Sequence, residues 1–224
     1  MSRTALLLGA SGLIGGYCLE LLLADPDYTQ VTILVRQPLP TSHPKLTQRI
    51  VNFDRLNEAA DAFQVQDVFC CLGTTIKTAG SQEAFRKVDF NYPTESVRLA
   101  LQQGATQFLL VSSLGADAKS SVFYSRTKGE VERAVAASDL CSVQIFRPSL
   151  LLGQRTEVRT GERIAETVSR AISFLLLGPL RKYRPIEARA VAAAMIVIAK
   201  QQPTGIHIYE SDRIAQIAAQ TESQ

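Results

Sequence analysis

Leu6-Leu7-Leu8-Gly9-Ala10-Ser11-Gly12-Leu13-Ile14-Gly15 is the stretch whose reading decides the fold. The three leucines form a short apolar run of the kind that makes a buried strand. From Leu13 to Ala24 apolar residues recur at helical spacing until Asp25-Pro26 stops them. Strand, turn and helix therefore follow one another, with a G-x-x-G-x-x-G spacing at the turn. In such a turn the first glycine permits a tight bend, the second lets backbone approach a pyrophosphate, and the third lets the helix lie close to the sheet. Ser11, Leu13 and Ile14 fill the turn, and the helix N-terminus offers an anion free N–H groups and partial positive charge. Chance produces this spacing in ~4% of chains with a similar glycine content, so its place after a strand is what gives it weight. A dinucleotide site is the expectation.

The end of the second strand sharpens it. A site for NAD usually carries an acid there, and a site for the 2′-phosphorylated cofactor an arginine. Here the position holds Arg36, 21 residues after Gly15, and no Asp or Glu lies between Asp27 and Asp54. A guanidinium meets phosphate with a planar fork of donors, so NADP(H) is favoured over NAD(H).

Outward from the turn, strands are expected at Val31 to Val35, Arg49 to Phe53, Asp67 to Leu72, Gln107 to Ser113 and Ser142 to Phe146. Helices are expected at Tyr92 to Gln103 and Ser125 to Ser138. This alternation predicts an α/β protein, a doubly wound parallel sheet with helices on both faces, over roughly residues 1–150. The expected organisation is a cofactor-binding domain over 1–153 and a small, mostly helical lobe over 154–224 on the substrate side, packed on it as one structural unit. Helical periodicity is read over 163–177 and 188–200, separated by Gly178-Pro179.

The 224 residues are 46% hydrophobic and 20% charged, as in an ordinary globular protein, and a net charge of +3 is too small to argue for nucleic acid. Cys18, Cys70, Cys71 and Cys141 follow neither a metal-ligand spacing nor a stapled-domain pattern, so they read as buried thiols in a reducing compartment. Cys70 and Cys71 should point to opposite faces of a strand. His43 and His207 are too few and too far apart in sequence for a metal site. The N-terminal apolar run is broken by glycines and by Glu20, unlike a secretory signal, and no apolar stretch has the length of a bilayer span. The expected location is the cytoplasm.

Tyr124 and Lys128 are four residues apart at the start of a helix, so both leave the same face. Such a pair arises by accident in roughly a fifth of comparable chains, but this one follows a strand ending in Ser112-Ser113, where a parallel sheet presents groups to its ligand crevice. A tyrosine with an ordinary pKa near ~10 becomes a usable acid–base when an ammonium stabilises its phenolate.

With these residues in view, the chain resembles the short-chain dehydrogenase/reductase superfamily in its atypical extended branch. It is similar to Tat-interacting-protein-type oxidoreductases in Cys71-Leu72-Gly73-Thr74-Thr75, Lys77-x-Ala79-Gly80, Arg86-Lys87-Val88-Asp89, Ser112-Ser113-Leu114-Gly115-Ala116-Asp117, Lys128-Gly129-Glu130-Val131-Glu132 and Phe146-Arg147-Pro148-Ser149-x-x-x-Gly153. The similarity covers about four fifths of the chain. It implies an NADP-binding Rossmann fold with a catalytic triad of Ser113, Tyr124 and Lys128, Ser112 being the alternative serine. It also implies cofactor contacts from Gly9, Gly12, Gly15, Arg36, Asp54 near the adenine, Leu72 and Gly73 along the adenosine ribose, Lys128 on the nicotinamide ribose, and Pro148 over the nicotinamide. Many superfamily members place an asparagine of a proton relay where this chain has Asp89, and the closer group shares the Val88-Asp89 pair.

The tail is too short to hold a nucleotide-sugar, which makes epimerase or dehydratase chemistry the least favoured reading. Residues 172–184 set an apolar run beside Arg181, Lys182 and Arg184, readable as a lid, an oligomer contact or a weak membrane-surface patch. Two functions remain: an oxidoreductase acting on a small carbonyl or alcohol, and a cofactor-binding sensor acting through protein partners without turnover.

Overall fold

The fold comes from a computed structural model that describes residues 2–153 and 178–220. The helix expected over 163–177, which includes residues 172–177 of the run read as a lid, lies outside the described residues. Seven parallel strands form one sheet: β1 (Arg3–Leu8), β2 (Tyr28–Val35), β3 (Leu46–Ile50), β4 (Asp67–Cys70), β5 (Gln107–Val111), β6 (Ser142–Arg147) and β9 (Gly205–Glu210), in the order β3-β2-β1-β4-β5-β6-β9. The order reverses direction between β1 and β4, and ligands of open α/β sheets bind at the carboxyl ends of the strands beside such a reversal. A short parallel pair, β7 (Leu151–Leu152) and β8 (Ile186–Glu187), stands apart.

Strand alternation divides the core. On one face Ala5, Leu7, Ile33, Phe69 and Leu109 pack under α1 (Leu13–Ala24), α6 (Ala188–Gln201) and α7 (Ser211–Ala219). On the other Leu6, Leu8, Leu34, Val68, Phe108 and Leu110 pack under a 3-10 run (Phe53–Phe63), α4 (Tyr92–Gln102) and α5 (Phe123–Ala136). Cys70 belongs to the second core and Cys71 packs against the first, the opposed facing expected of neighbours on a strand. Only Cys18 and Cys70 are fully buried; Cys141 is exposed, which corrects the reading of all four as buried thiols.

The third strand ends three residues earlier than expected. Asn52 Oδ1 accepts the Asp54 N–H at 2.9 Å, a local turn that breaks the extended run and sends Phe53 into the core as the first residue of the 3-10 segment. The tail also adds to the sheet: β9 pairs with β6 from Ser142↔Gly205 to Arg147↔Glu210. As an edge strand with Ile206 and Ile208 about half exposed, it lacks the buried periodicity by which the other strands announce themselves.

Between β4 and α4 lie two short helices, α2 (Ile76–Ala79) and α3 (Gln82–Arg86), and the latter runs through a single π turn (Lys87–Asn91) into α4. Opposite the site, the amino ends of the strands are tied by a buried polar knot. The Asp67 carboxylate accepts from Arg3 Nε at 2.8 Å and Nη2 at 2.7 Å, from Tyr28 Oη at 2.7 Å and from Gln107 Nε2 at 2.6 Å. Arg3 and Gln107 also donate to the Ala199 carbonyl at the end of α6.

Candidate active site

The glycine turn is built as its spacing predicts. Gly9 has φ +85°, the left-handed region open to glycine, and the Gly12 N–H closes the turn on the Gly9 carbonyl at 2.9 Å. A Cβ on Gly9 would lie 2.5 Å from the Cys71 carbonyl oxygen and 2.9 Å from the Leu72 nitrogen, so this glycine lets the turn press against the segment leaving β4. A Cβ on Gly15 would lie 2.0 Å from the Gly9 oxygen; its absence lets α1 begin directly against the turn. Gly12 caps α1 with no side-chain hydrogen bond, no acid occupies the first turn, and Gly12 and Ser11 are exposed. The first N–H groups of α1 are therefore available to an anion approaching from solvent. A pyrophosphate fits this cradle.

On the adenosine side, Arg36 is exposed just past the end of β2 and forms no ion pair among the described residues. Its charge reaches the Tyr92 hydroxyl. Asp54 accepts from Lys87 Nζ at 2.8 Å and Tyr92 Oη at 2.8 Å; these two hydrogen bonds, the one from Lys87 first, hold its carboxyl below the ordinary carboxylate range. Burial first, then the hydrogen bond to Asp54, pushes the Tyr92 phenol up to about 12.

Tyr124 and Lys128, the residues expected to act as acid and base, both lie on α5. Tyr124 lies in the first turn of α5, half buried, its ring 5.6 Å from that of Phe85 on α3. Lys128 is buried one turn later, and its ammonium meets the fully buried Asp89 carboxylate at 2.7 Å. Burial alone would lower the Lys128 pKa, but the charges of Asp89 and Tyr124 carry it above the ordinary lysine value. Gly73 stands over the pair: a Cβ there would lie 3.5 Å from Asp89 Oδ1 and 3.8 Å from Lys128 Nζ. The structure thus brings together Tyr124, Lys128 and Gly73, and separately Gly9, Leu72 and the start of α1.

Past the end of β5, the Ser112 N–H donates to Phe146 and the Leu114 N–H to the buried Pro148, carrying the bonding between β5 and β6 beyond the strands. Ser113 is half buried and donates to the Leu114 carbonyl at 3.2 Å. Ser112 is buried, and its Oγ has no hydrogen-bond partner among the described residues. Sequence reasoning marked Asp89 as a departure from its superfamily but missed its pairing with Lys128. Spacing carries no signal for that contact, which depends on how the π turn faces α5.

A family model described as NAD(P)H-binding matches residues 9–174. Protein HTATIP2 of Rattus norvegicus is 40% identical over 168 residues, covering 73% of this chain and 69% of that protein. Protein fmp52, mitochondrial, of Emericella nidulans is 34% identical over 224 residues, covering 93% and 96%. Among solved structures, Bordetella bronchiseptica WbmH in complex with NAD+ has a TM-score of 0.72 at 14% identity, over 94% of this chain and 76% of that one. MoeE5 in complex with UDP-glucose and NAD has a TM-score of 0.69 at 16% identity, over 98% and 82%. At such identities these likenesses show the fold alone. Several relatives are named FMP52, mitochondrial, which overturns the expected cytoplasmic location. Reduced thiols and ordinary globular composition suit either compartment, so those features never separated the two. The matched family and the two relatives agree with the seven-stranded Rossmann architecture, and the chain belongs to the NAD(P)H-binding family, with HTATIP2 and the FMP52 proteins among its relatives.

Proposed function

We propose that the protein is an NADP(H)-dependent oxidoreductase that interconverts a small carbonyl compound and its alcohol, using Ser113, Tyr124 and Lys128. Around the cofactor we place Gly9, Ser11, Gly12, Leu13, Ile14, Gly15, Arg36, Asp54, Leu72, Gly73 and Pro148, with Tyr124 and Lys128 at its nicotinamide end. The observation that carries this reading is the buried Lys128 ammonium, paired with Asp89 at 2.7 Å and one turn from Tyr124 on α5. A buried ammonium is costly to maintain, and next to a tyrosine at a sheet's carboxyl edge it has a chemical use.

The bound dinucleotide supplies or accepts the hydride. Tyr124 Oη gives a proton to the carbonyl oxygen as it becomes an alkoxide, and the ammonium offsets the negative charge left on the phenolate. Ser113, the more open of the two serines, donates a hydrogen bond to the same oxygen. Arg36, free of carboxylate partners among the described residues, pairs with the 2′-phosphate. The names of its relatives suggest the mitochondrion as its compartment.

Titrations with NADPH and NADH test the cofactor assignment. Arg36→Ala should weaken NADPH roughly 10- to 100-fold, as expected for losing a hydrogen bond to a charged group, and leave NADH nearly unchanged. Equal losses for both cofactors overturn the role of Arg36. A panel of aldehydes, ketones and quinones tests the chemistry: the unaltered protein should oxidise NADPH with at least one of them, and Tyr124→Phe should lose that activity. Binding without turnover would replace this reading with that of a cofactor-dependent regulator.

A further inference from the structure

Three buried side-chain atoms lack an aligned hydrogen-bond partner among the described residues: Asp89 Oδ1, Ser112 Oγ and Gln107 Oε1. Gln107 belongs to the knot at the amino ends of the strands, Ser112 lies just past the end of β5, and Asp89 lies beside Lys128 and Gly73. Asp89 is 1% exposed, and a carboxylate so placed is tolerated only with compensating charge. Its compensation is divided. Oδ2 accepts the Thr74 backbone N–H at 2.9 Å, and Oδ1 faces the Lys128 ammonium at 2.7 Å in ionic contact. One carboxylate thus joins the segment carrying Gly73 to the helix carrying Tyr124. It is delivered there by the π turn, a distortion that places one residue off the ordinary α-helical face and is frequent at functional sites.

We propose that Asp89 is the positioning residue of the acid–base pair, a built-in counter-ion that holds the Lys128 ammonium charged beneath Gly73 and beside Tyr124. The inference rests on the oxidoreductase reading for its consequence, and on the geometry alone for its premise. The titratable groups whose charge reaches Lys128 are Asp89 on the π turn, Tyr124 on α5 and Cys70 at the end of β4, and Asp89 is the strongest of them. Arg86 on α3 is paired with Glu130 on α5 and adds little net charge. Without Asp89 the desolvation of Lys128 is opposed by its weaker partners only. The ammonium then gives up its proton at a lower pH, and Tyr124 loses the charge that makes it an acid–base.

The test compares Asp89→Asn with the unaltered protein. Asparagine keeps the size and can still accept from Thr74 through its amide oxygen. In protein labelled at lysine 13Cε, the resonance missing from Lys128→Met should be flat between about pH 6 and 9 in the unaltered protein and titrate within that window in Asp89→Asn. Identical titration in both overturns the proposal. This readout needs neither cofactor nor turnover, so it stands even if the oxidoreductase reading fails. With NADPH and 9,10-phenanthrenequinone as test carbonyl, the alkaline limb of the rate profile should move down by about one pH unit or more in Asp89→Asn. An unmoved limb also overturns the proposal, and no oxidation of NADPH by the unaltered protein across the carbonyl panel counts against the oxidoreductase reading instead. If Asp89→Asn folds poorly, the double variant Asp89→Asn/Lys128→Met should regain much of the lost melting temperature, because it leaves no uncompensated buried charge. Simple additivity of the two losses would show that the charges are not coupled.

Discussion

Three glycines of the first turn and helix give a graded test, because a methyl group at each would meet a different distance. At Gly15 the new Cβ would lie 2.0 Å from the Gly9 oxygen and 2.7 Å from the Gly9 carbon, both backbone atoms that no side-chain rotation can move. Ordinary contact begins about 1.4 Å further out, so α1 must shift by roughly that amount or the turn must open. Overpacking of this kind costs about 1–3 kcal/mol, offset in part by the ~1 kcal/mol that alanine gains over glycine within a helix. A net loss of up to about 2 kcal/mol would lower the melting temperature by at most roughly 4–8 °C. The shift also takes the helix N-terminus away from the pyrophosphate, and losing one charge-assisted hydrogen bond weakens NADPH roughly 10- to 100-fold. At Gly16, one residue along, the new methyl would find the Ala10 oxygen at 3.7 Å, an ordinary contact. Gly16→Ala should therefore raise stability by about 0.5–1 kcal/mol and leave NADPH binding unchanged. At Gly12, exposed and extended at φ −82° and ψ 169°, the methyl would sit 3.2 Å from the Gly9 oxygen on the open side of the turn. Gly12→Ala should cost less than about 1 kcal/mol of stability yet weaken NADPH clearly. Thermal melts and fluorescence titration of NADPH on the three variants decide the matter. If Gly16→Ala loses NADPH as Gly15→Ala does, or Gly12→Ala binds as tightly as the unaltered protein, the placement of the pyrophosphate is refuted.

Two further predictions concern stability. Asp67→Ala removes the acceptor of four buried hydrogen bonds and strands the buried Arg3 guanidinium, so it should cost about 3–5 kcal/mol and roughly 6–20 °C of melting temperature. Glu20→Ala breaks an exposed pair with Arg189 and should cost at most about 1 kcal/mol; comparable losses in the two variants would deny the knot its role. The second is alkaline. Burial pushes the Cys70 thiol up to about 12, so between its ordinary value and that point the folded state holds a proton that the unfolded state has released. Folded Cys70 binds more protons there, and unfolding free energy falls as pH rises. Tyr28, raised chiefly by burial and then by Asp67, acts in the same direction. Urea midpoints measured from about pH 8 to 11 should fall, and Cys70→Ala should start lower but decline less steeply. Parallel slopes for the two proteins would sink this account.

What could be read from the sequence follows from where each signal is stored. The first turn and α1 from Leu13 to Ala24 were legible because glycine spacing and apolar periodicity are local. The Leu6-Leu7-Leu8 run announced a buried strand, and in the structure Leu7 joins Ala5 in one core while Leu6 and Leu8 enter the other. The third strand slipped because the Asn52 side chain ends it, and one hydrogen bond to the next turn leaves no trace in periodicity. β9 escaped because an exposed edge needs no buried face, so nothing in Gly205–Glu210 distinguishes strand from loop until β6 is beside it.

The same division runs through the site. Tyr124 and Lys128 could be paired because four residues of helix put them on one face, a relation held within the chain's own spacing. The partner of Lys128 could not be found that way, since Asp89 arrives from another helix through a π turn that spacing alone does not announce. Asp89 stood out through departure from the superfamily pattern, and its meaning emerged only when a buried ammonium was seen to need it. Changing that carboxylate therefore changes the electrostatics of a pair whose own two residues remain intact, which is why a pH profile discriminates where a loss of activity alone would not.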